Sequence, residues 1–292
     1  MKNTIKTLVF GIVLTLLISS FVNMDPKKEI HYKDIANIET EHFILKFSDM
    51  HSQSNFTMMK ISVENITDGY LIVDRSKMSF YYPGNNKTLF SKNNVSIMGG
   101  GELYNNGGAF IIPPKKAKNV IVKVTDPGGW MQVDSIQFNL GGFTYLKPTG
   151  EATKFERMTL PPVKKVVESD KLNLSLLKEE RETKQSKIVV LAENTSENYY
   201  RFNSEKVVFA KEDDSESINY ARKKTYLLKP EGQKKFTFIA RIGRDKKTAF
   251  DMQFSKFYLD FKDAFEQLET IELNVSNKLD LVIDEEKTKN EN

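Results

Sequence analysis

Side chains capable of catalytic or metal chemistry are sparse in this sequence. It has no cysteine, and its three histidines, His31, His42 and His51, all precede residue 52. None lies in the H-E-x-x-H motif of zinc proteases, and no serine lies in a G-x-S-x-G nucleophile elbow. A carboxylate pair of the glycosidase type stays open, because any two Asp or Glu can meet in space. We therefore predict no catalytic residues, no metal site and no cofactor, with a secreted hydrolase as the least favoured alternative.

Glycine and aromatic residues accumulate in the segment Ile97–Gly108, I-M-G-G-G-E-L-Y-N-N-G-G. A phosphate-binding loop needs glycines that open a helix, whereas these glycines lead into F-I-I-P-P, which has the pattern of a strand. Flat aromatic faces on glycine-rich loops are instead typical of surfaces that bind sugars or peptides, with a plain surface loop as the alternative. The predicted ligand-binding residues are Tyr104, Trp130, Phe143, Gly100 and Gly107.

Two other features suggest metal ions but have simpler explanations. The acidic segment K-E-D-D-S-E-S, Lys211–Ser217, lacks the glycine and the terminal glutamate of a calcium-binding EF-hand loop, so a solvated turn is favoured. Methionines are frequent before residue 160, and thioether sulfur is a ligand of copper(I). Because several of them lie in predicted strands, core filling explains them better.

The N-terminus has the pattern of an export signal. Lys2 and Lys6 precede an apolar run of 15 residues, Leu8 to Val22, which is shorter than the roughly 20 residues of a membrane-spanning helix. We expect a signal peptide over 1–24, with an uncleaved N-terminal anchor as the alternative. Removal of the two lysines leaves 41 basic and 39 acidic residues, a net charge of +2, with both signs interspersed. The charge therefore gives no reason to expect a nucleic-acid partner.

The segments that carry these side chains occur twice. V-E-N-I-T-D-G-Y around Asn65 and A-E-N-T-S-E-N-Y around Asn194 are 129 residues apart, as are Tyr70 and Tyr199. Seven identities occur without a gap at this offset between Ala36 and Phe80, and the likeness returns farther on at offsets of 116 to 121. Because the apolar alternation and the turn residues recur together, the sequence predicts an internal duplication.

Each copy has roughly seven short strands of alternating polarity, separated by turn signals such as E-N-I-T-D-G and D-P-G-G. That pattern favours an antiparallel β-sandwich, with a barrel as the alternative. In strand spacing the copies resemble bacterial immunoglobulin-like extracytoplasmic modules, a resemblance that implies a fold and no activity. The predicted fold class is all-β: two tandem immunoglobulin-like antiparallel β-sandwiches arising from an internal duplication.

Composition sets the predicted domain limits. We expect a first sandwich over 25–150, a linker over 151–165 that contains Pro161 and Pro162, and a second sandwich over 166–283. Residues 284–292 contain no apolar side chain, which predicts a disordered tail.

Together these features favour an exported, non-catalytic binding or interaction module outside the cytoplasm. The expected partner is a protein or a polysaccharide, and membrane contact is expected only through an uncleaved N-terminal segment. The alternative is a structural or assembly subunit of a cell-envelope complex, held through edge strands that F-I-L-K-F (Phe43–Phe47) or E-T-I-E-L-N-V (Glu269–Val275) would supply.

Overall fold

The computed structural model describes residues 29–91, 109–162, 164–211, 217–219, 224–241, 252–275 and 278–290. These residues are nearly all in β-strands, and the strands pair in the antiparallel sense. The predicted all-β class is therefore confirmed, and the arrangement is sandwich-like. The predicted signal segment, 1–24, lies outside the described residues.

The strands are numbered in chain order. The first eleven are β1 (Ile30–His31), β2 (Ile38–Glu39), β3 (Phe43–Gln53), β4 (Phe56–Asn65), β5 (Tyr70–Asp74), β6 (Ser79–Tyr82), β7 (Lys87–Phe90), β8 (Ala109–Ile112), β9 (Ala117–Thr125), β10 (Ser135–Asn139) and β11 (Phe143–Ala152). The remaining strands are β12 (Met158–Leu160), β13 (Val166–Glu168), β14 (Leu172–Glu182), β15 (Gln185–Asn194), β16 (Tyr199–Asn203), β17 (Val208–Lys211), β18 (Ser217–Asn219), β19 (Thr225–Leu228), β20 (Gln233–Arg241), β21 (Phe257–Asp260), β22 (Phe265–Leu273) and β23 (Lys278–Val282). A short helix, α1 (Glu285–Asn290), follows β23.

Alternation of apolar and polar residues explains why these segments are strands. In β4 every second side chain from Thr57 to Asn65 is buried, and in β15 the same is true from Ser186 to Asn194. A period of two places one face of a strand against the core and leaves the other face partly exposed. The strands are thus defined locally, before any pairing partner is known.

The chain divides into two compact units. Unit 1 consists of residues up to Thr67, Leu71–Phe143 and the segment from Leu273 onward. Its strands β1, β3, β4 and β9 form one sheet, with β2 beside β3, while β23, β10, β6 and β7 form another. Strand β5 pairs with β8. Buried side chains from these strands share one apolar core.

Unit 2 consists of Asp68–Tyr70 and Thr144–Glu272. Strands β13, β14, β15 and β20 form one sheet, and β12, β21, β17 and β18 form a second. Strands β19, β16, β22 and β11 lie side by side in that order. The core of this unit is rich in phenylalanine: Phe202, Phe209, Phe236, Phe238, Phe257, Phe261 and Phe265.

Strand limits in the two units correspond residue by residue. β3, β4, β5 and β6 match β14, β15, β16 and β17 at an offset of 129 at both ends, and β8 and β9 match β19 and β20 at an offset of 116. A 3₁₀ turn follows both β5 and β16, at Arg75–Lys77 and Ser204–Lys206. The predicted register between the two halves of the sequence therefore agrees with the strand limits.

The repeated asparagines stabilise the turns through their side chains. The Oδ1 atom of Asn65 accepts a hydrogen bond from the Thr67 backbone at 3.0 Å, and its Nδ2 donates to the Pro113 carbonyl at 3.1 Å. Asn194 makes the equivalent bonds to Ser196 and Lys229, at 3.0 and 2.7 Å. Each asparagine thus ties its own turn to a distant loop. Because buried amides need such partners, both positions strongly favour asparagine.

Strands β12 and β23 depart from the expected tandem order. β12 follows the first copy in sequence but pairs with β21 in unit 2, where Met158 lies opposite Leu259. β23 follows the second copy but pairs with β10 in unit 1, where Leu279 lies opposite Phe138. Because β10 and β21 pair in turn with β6 and β17, the two strands occupy equivalent positions. A strand from the other half of the sequence therefore completes each unit.

The observed limits accordingly differ from the predicted sandwiches at 25–150 and 166–283. The predicted linker, 151–165, contains β12, whose Met158 and Leu160 are buried in the core of unit 2. The predicted tail, 284–292, contains α1, where the Thr288 hydroxyl accepts a hydrogen bond from the His31 backbone at 3.0 Å. Prolines and polar residues indicated breaks at these places, but strands of three to five residues are too short to show a clear alternation.

Neither segment predicted to supply an open edge does so. Phe43–Phe47 lies in β3, which pairs with β4 on one side and with β1 and β2 on the other. Glu269–Leu273 lies in β22, which has β16 and β11 as neighbours. The assembly alternative therefore lacks the two edges on which it was based.

Candidate ligand-binding site

The predicted site residue Trp130 is held by polar contacts in unit 1. Its Nε1 donates to Asp126 Oδ1 at 3.1 Å, and the same oxygen accepts from the Gly128 backbone at 2.8 Å. The Lys87 ammonium lies 4.9 Å from the centre of the indole ring and also pairs with Asp126. Hydrogen bonding from Lys87, together with the backbone of Gly128, holds the pKa of Asp126 below its usual value. Trp130 is therefore fixed by its own loop.

Phe143 belongs to the interior. It is 2% exposed and stacks on Phe43 with ring centroids 4.6 Å apart. Its ring therefore has no face for a ligand at the surface. The other predicted residues, Tyr104, Gly100 and Gly107, lie outside the described residues, so a site that includes them stays a prediction.

A larger opening lies in unit 2, where sequence reasoning placed no ligand. This groove has a volume of about 550 Å³, comparable with typical ligand sites. Its walls come from the connection between β11 and β12, from the turn between β13 and β14, and from β16 and β22. The lining includes Glu151, Lys154, Glu156, Glu168, Asp170, Lys171, Tyr200 and Gln267. We refer to this opening as the polar groove.

Hydrogen bonds position the floor of the polar groove. Gln267 Oε1 accepts from the Lys171 ammonium at 3.0 Å and from the Tyr200 hydroxyl at 3.4 Å. The Gln267 backbone carbonyl accepts from Thr149 at 2.7 Å. Burial raises the pKa of Tyr200, so its hydroxyl stays protonated and can donate near neutral pH. The floor thus presents an ordered amide, hydroxyl and ammonium group.

The rim of the polar groove is more acidic than basic. Glu151, Glu156, Glu168 and Asp170 carry four carboxylates, and all four residues are exposed. Two ammonium groups, on Lys154 and Lys171, offset part of this charge. An anionic ligand is therefore disfavoured, whereas a ligand that offers hydroxyl or amino groups finds both donors and acceptors.

The groove was missed because it depends on strand exchange. Glu151 to Glu156 line it only because the chain leaves β11 and enters the sheet of unit 2 as β12. In the sequence the same residues have the polar composition of a linker. The repeated E-x-D/E pattern, Glu168 and Asp170 against Glu39 and Glu41, was the one local signal that two acidic side chains flank this turn.

Metal and membrane features were also sought within the described residues. In that part of the chain, no three His, Cys, Asp or Glu side chains converge as ligands of a metal ion. The acidic residues 212–216 of the segment first considered for calcium lie outside it. None of the described helices is long and apolar enough to cross a membrane.

The sequence was compared with known proteins. No protein-family model and no curated protein sequence match the chain significantly.

Proposed function

We propose that the chain is an exported protein built from two immunoglobulin-like sandwiches that arose by internal duplication. The matched strand limits and the shared asparagine network support the duplication. A paired lysine and ring also recur: Lys118 over Phe110 at 5.7 Å, and Lys234 over Tyr226 at 4.8 Å. The lysines and apolar run of the N-terminus support export.

The function that follows is non-catalytic binding of a segment of an uncharged or amino-bearing extracellular polysaccharide. The polar groove is the observation that carries this proposal, because its volume, its ordered floor and its acidic rim suit a polyhydroxylated chain. Hydroxyl groups can donate to the carboxylates and accept from the lysines and the tyrosine. Uronic-acid or sulfated polymers would meet an excess of like charge.

Binding of the mature full-length chain to immobilised neutral, cationic and acidic polysaccharides tests the proposal. Glu168→Gln combined with Asp170→Asn removes two rim acceptors of charged character, and we expect binding to weaken about tenfold. The matched control is Glu39→Gln with Glu41→Gln, because these residues occupy the same two positions in unit 1. This control variant should bind like the parent.

Three results would contradict the proposal. They are a preference for acidic polymers, equal losses in the two double variants, and release of soluble sugar from the bound polymer. If no polysaccharide binds while a cell-envelope protein co-purifies with the chain, the assembly-subunit alternative replaces it.

A further inference from the structure

A second, smaller opening lies in unit 2 between the edge strand β20 and its neighbour β19. Its volume is about 200 Å³. Phe202, Phe236 and Phe238 are buried and form its base, and Tyr226 forms one wall with its ring centre 5.4 Å from that of Phe236. We refer to this opening as the aromatic pocket. It shares no lining residue with the polar groove.

The aromatic pocket has the size and surface of a site for one flat ring. A protein cavity of about 150 Å³ lined by Leu, Ile and Phe is large enough to bind benzene. The rings of this pocket meet one another at angles that suit a further aromatic partner: Phe202 and Phe236 are tilted at 4.1 Å, and Tyr226 lies edge-on to Phe236. A six-membered ring can therefore contact several ring faces and edges together.

Charge at the mouth of the pocket defines the rest of the ligand. Lys224 and Lys235 line the opening, are both exposed, and carry ammonium groups at neutral pH. Lys234 adds a third positive charge nearby, 4.8 Å from the centre of the Tyr226 ring. No acidic side chain lines the pocket. We propose that the aromatic pocket binds a small aromatic carboxylate, with the ring against the phenylalanines and the carboxylate between Lys224 and Lys235.

Unit 1 shows how the same scaffold is closed. Ser204 lines the pocket, and its hydroxyl is held by two bonds of 3.0 Å to the Lys224 backbone. The equivalent residue of unit 1 is Arg75, whose much longer side chain is 5% exposed and therefore occupies interior space. Lys235 is replaced there by Asn119. The features that would hold a carboxylate are thus specific to unit 2.

Titration of the mature full-length protein with benzoate, benzamide and benzylamine, followed by NMR chemical shifts, tests this assignment. We expect benzoate to saturate with a Kd of about 1–10 mM, which is normal for a ligand of this size. Neutral benzamide should bind at least about fivefold more weakly, because it lacks the charge that pairs with the lysines, and cationic benzylamine should not saturate. Shifts should be largest at Tyr226 and Phe236.

Two variants locate the site. Lys224→Glu with Lys235→Glu should weaken benzoate binding at least about tenfold, while the same change of charge at Lys116 and Lys123 in unit 1 should leave it unchanged. Ser204→Arg introduces the residue of unit 1 and should abolish binding; if it prevents folding, the lysine variants still decide. Absence of saturation below about 50 mM, equal binding of benzamide, or unchanged binding in the lysine variants would overturn the proposal. None of these results bears on polysaccharide binding in the polar groove.

Discussion

Units 1 and 2 share a scaffold but fill it differently. Positions on the edge strand that are Val120 and Val122 in unit 1 are Phe236 and Phe238 in unit 2, and all four side chains are buried. Larger rings at equivalent positions spread the edge and leave the aromatic pocket, while smaller side chains in unit 1 pack with the buried Arg75. Strand and turn positions therefore tolerate a wide change of interior volume, provided that the turn asparagines and the alternation are kept.

Buried polar groups differ as much as the apolar ones. Unit 1 contains a chain of hydroxyls in which Tyr82 donates to Thr57 at 2.8 Å, Thr57 and Ser52 share a bond of 2.6 Å, and Tyr32 donates to Ser52 at 3.0 Å. At the position of Ser52, unit 2 has Arg181, which donates to the Met252 and Ser255 carbonyls. Each unit thus satisfies its interior with its own network, so substitutions should affect one unit selectively.

The largest effect should come from the exchanged strands. Leu281 of β23 is 1% exposed and packs in the core of unit 1, so Leu281→Ala should lower the unfolding free energy of that unit by about 3 kcal/mol. Trp130, the one tryptophan of the sequence, lies in unit 1 and reports its unfolding in urea by fluorescence. We expect the urea midpoint from this signal to fall.

Met158→Ala in β12 is the matched control, because Met158 is buried in the core of unit 2. It should speed amide hydrogen exchange in β17 and β21 and shift the Trp130 midpoint less than Leu281→Ala does. If Leu281→Ala instead destabilises β17 and β21 and spares the Trp130 signal, the assignment of β23 to unit 1 is wrong.

A smaller effect is expected from an ion pair of unit 2. Arg201 Nε donates to Glu266 Oε2 at 2.9 Å, and Glu266 Oε1 accepts from the Gly150 backbone at 2.8 Å. The equivalent of Arg201 in unit 1 is Ile72, so the pair has no counterpart there. Glu266→Gln keeps the shape but leaves the half-buried Arg201 without its charge partner, which should cost about 2 kcal/mol.

Hydrogen exchange at β16 and β22 measures this loss. Arg201→Ile combined with Glu266→Gln replaces the cation by the residue of unit 1 and should recover part of the stability. An unchanged exchange rate in the single variant would mean that the pair contributes nothing.

The smallest effect concerns the hydroxyl chain of unit 1. Burial raises the pKa of Tyr32 to about 12 and raises that of Tyr82 as well. Because an unfolded chain ionises tyrosine near pH 10, the unfolded state loses protons first and the stability of unit 1 should fall above that pH. Tyr82→Phe removes one such group and its bond to Thr57, at a cost of about 1 kcal/mol at pH 7.

Urea midpoints from Trp130 fluorescence, taken at neutral pH and above pH 10, give the comparison. The variant should be less stable than the parent at neutral pH and should lose less stability in alkali. An equal alkaline loss in variant and parent would show that Tyr82 ionisation does not contribute.

Much of the local structure could be predicted from the sequence. The limits of β5, β8 and β16 were predicted to the residue, and the charged segment Leu177–Lys187 was correctly placed at the tip of a hairpin between β14 and β15. Alternation, turn residues and the repeat determine these features because each depends on neighbours within a few positions.

Pairing partners were decided only by the tertiary structure. Alternation shows which side of β12 or β23 is buried, but not which sheet accepts the strand, since every antiparallel edge offers the same backbone groups. The interior position of Phe143, the polar groove beside the path to β12, and the pocket opposite Arg75 all follow from that choice. Contacts between distant segments depend on how volumes fit in the folded core, and no local pattern of residues records that fit.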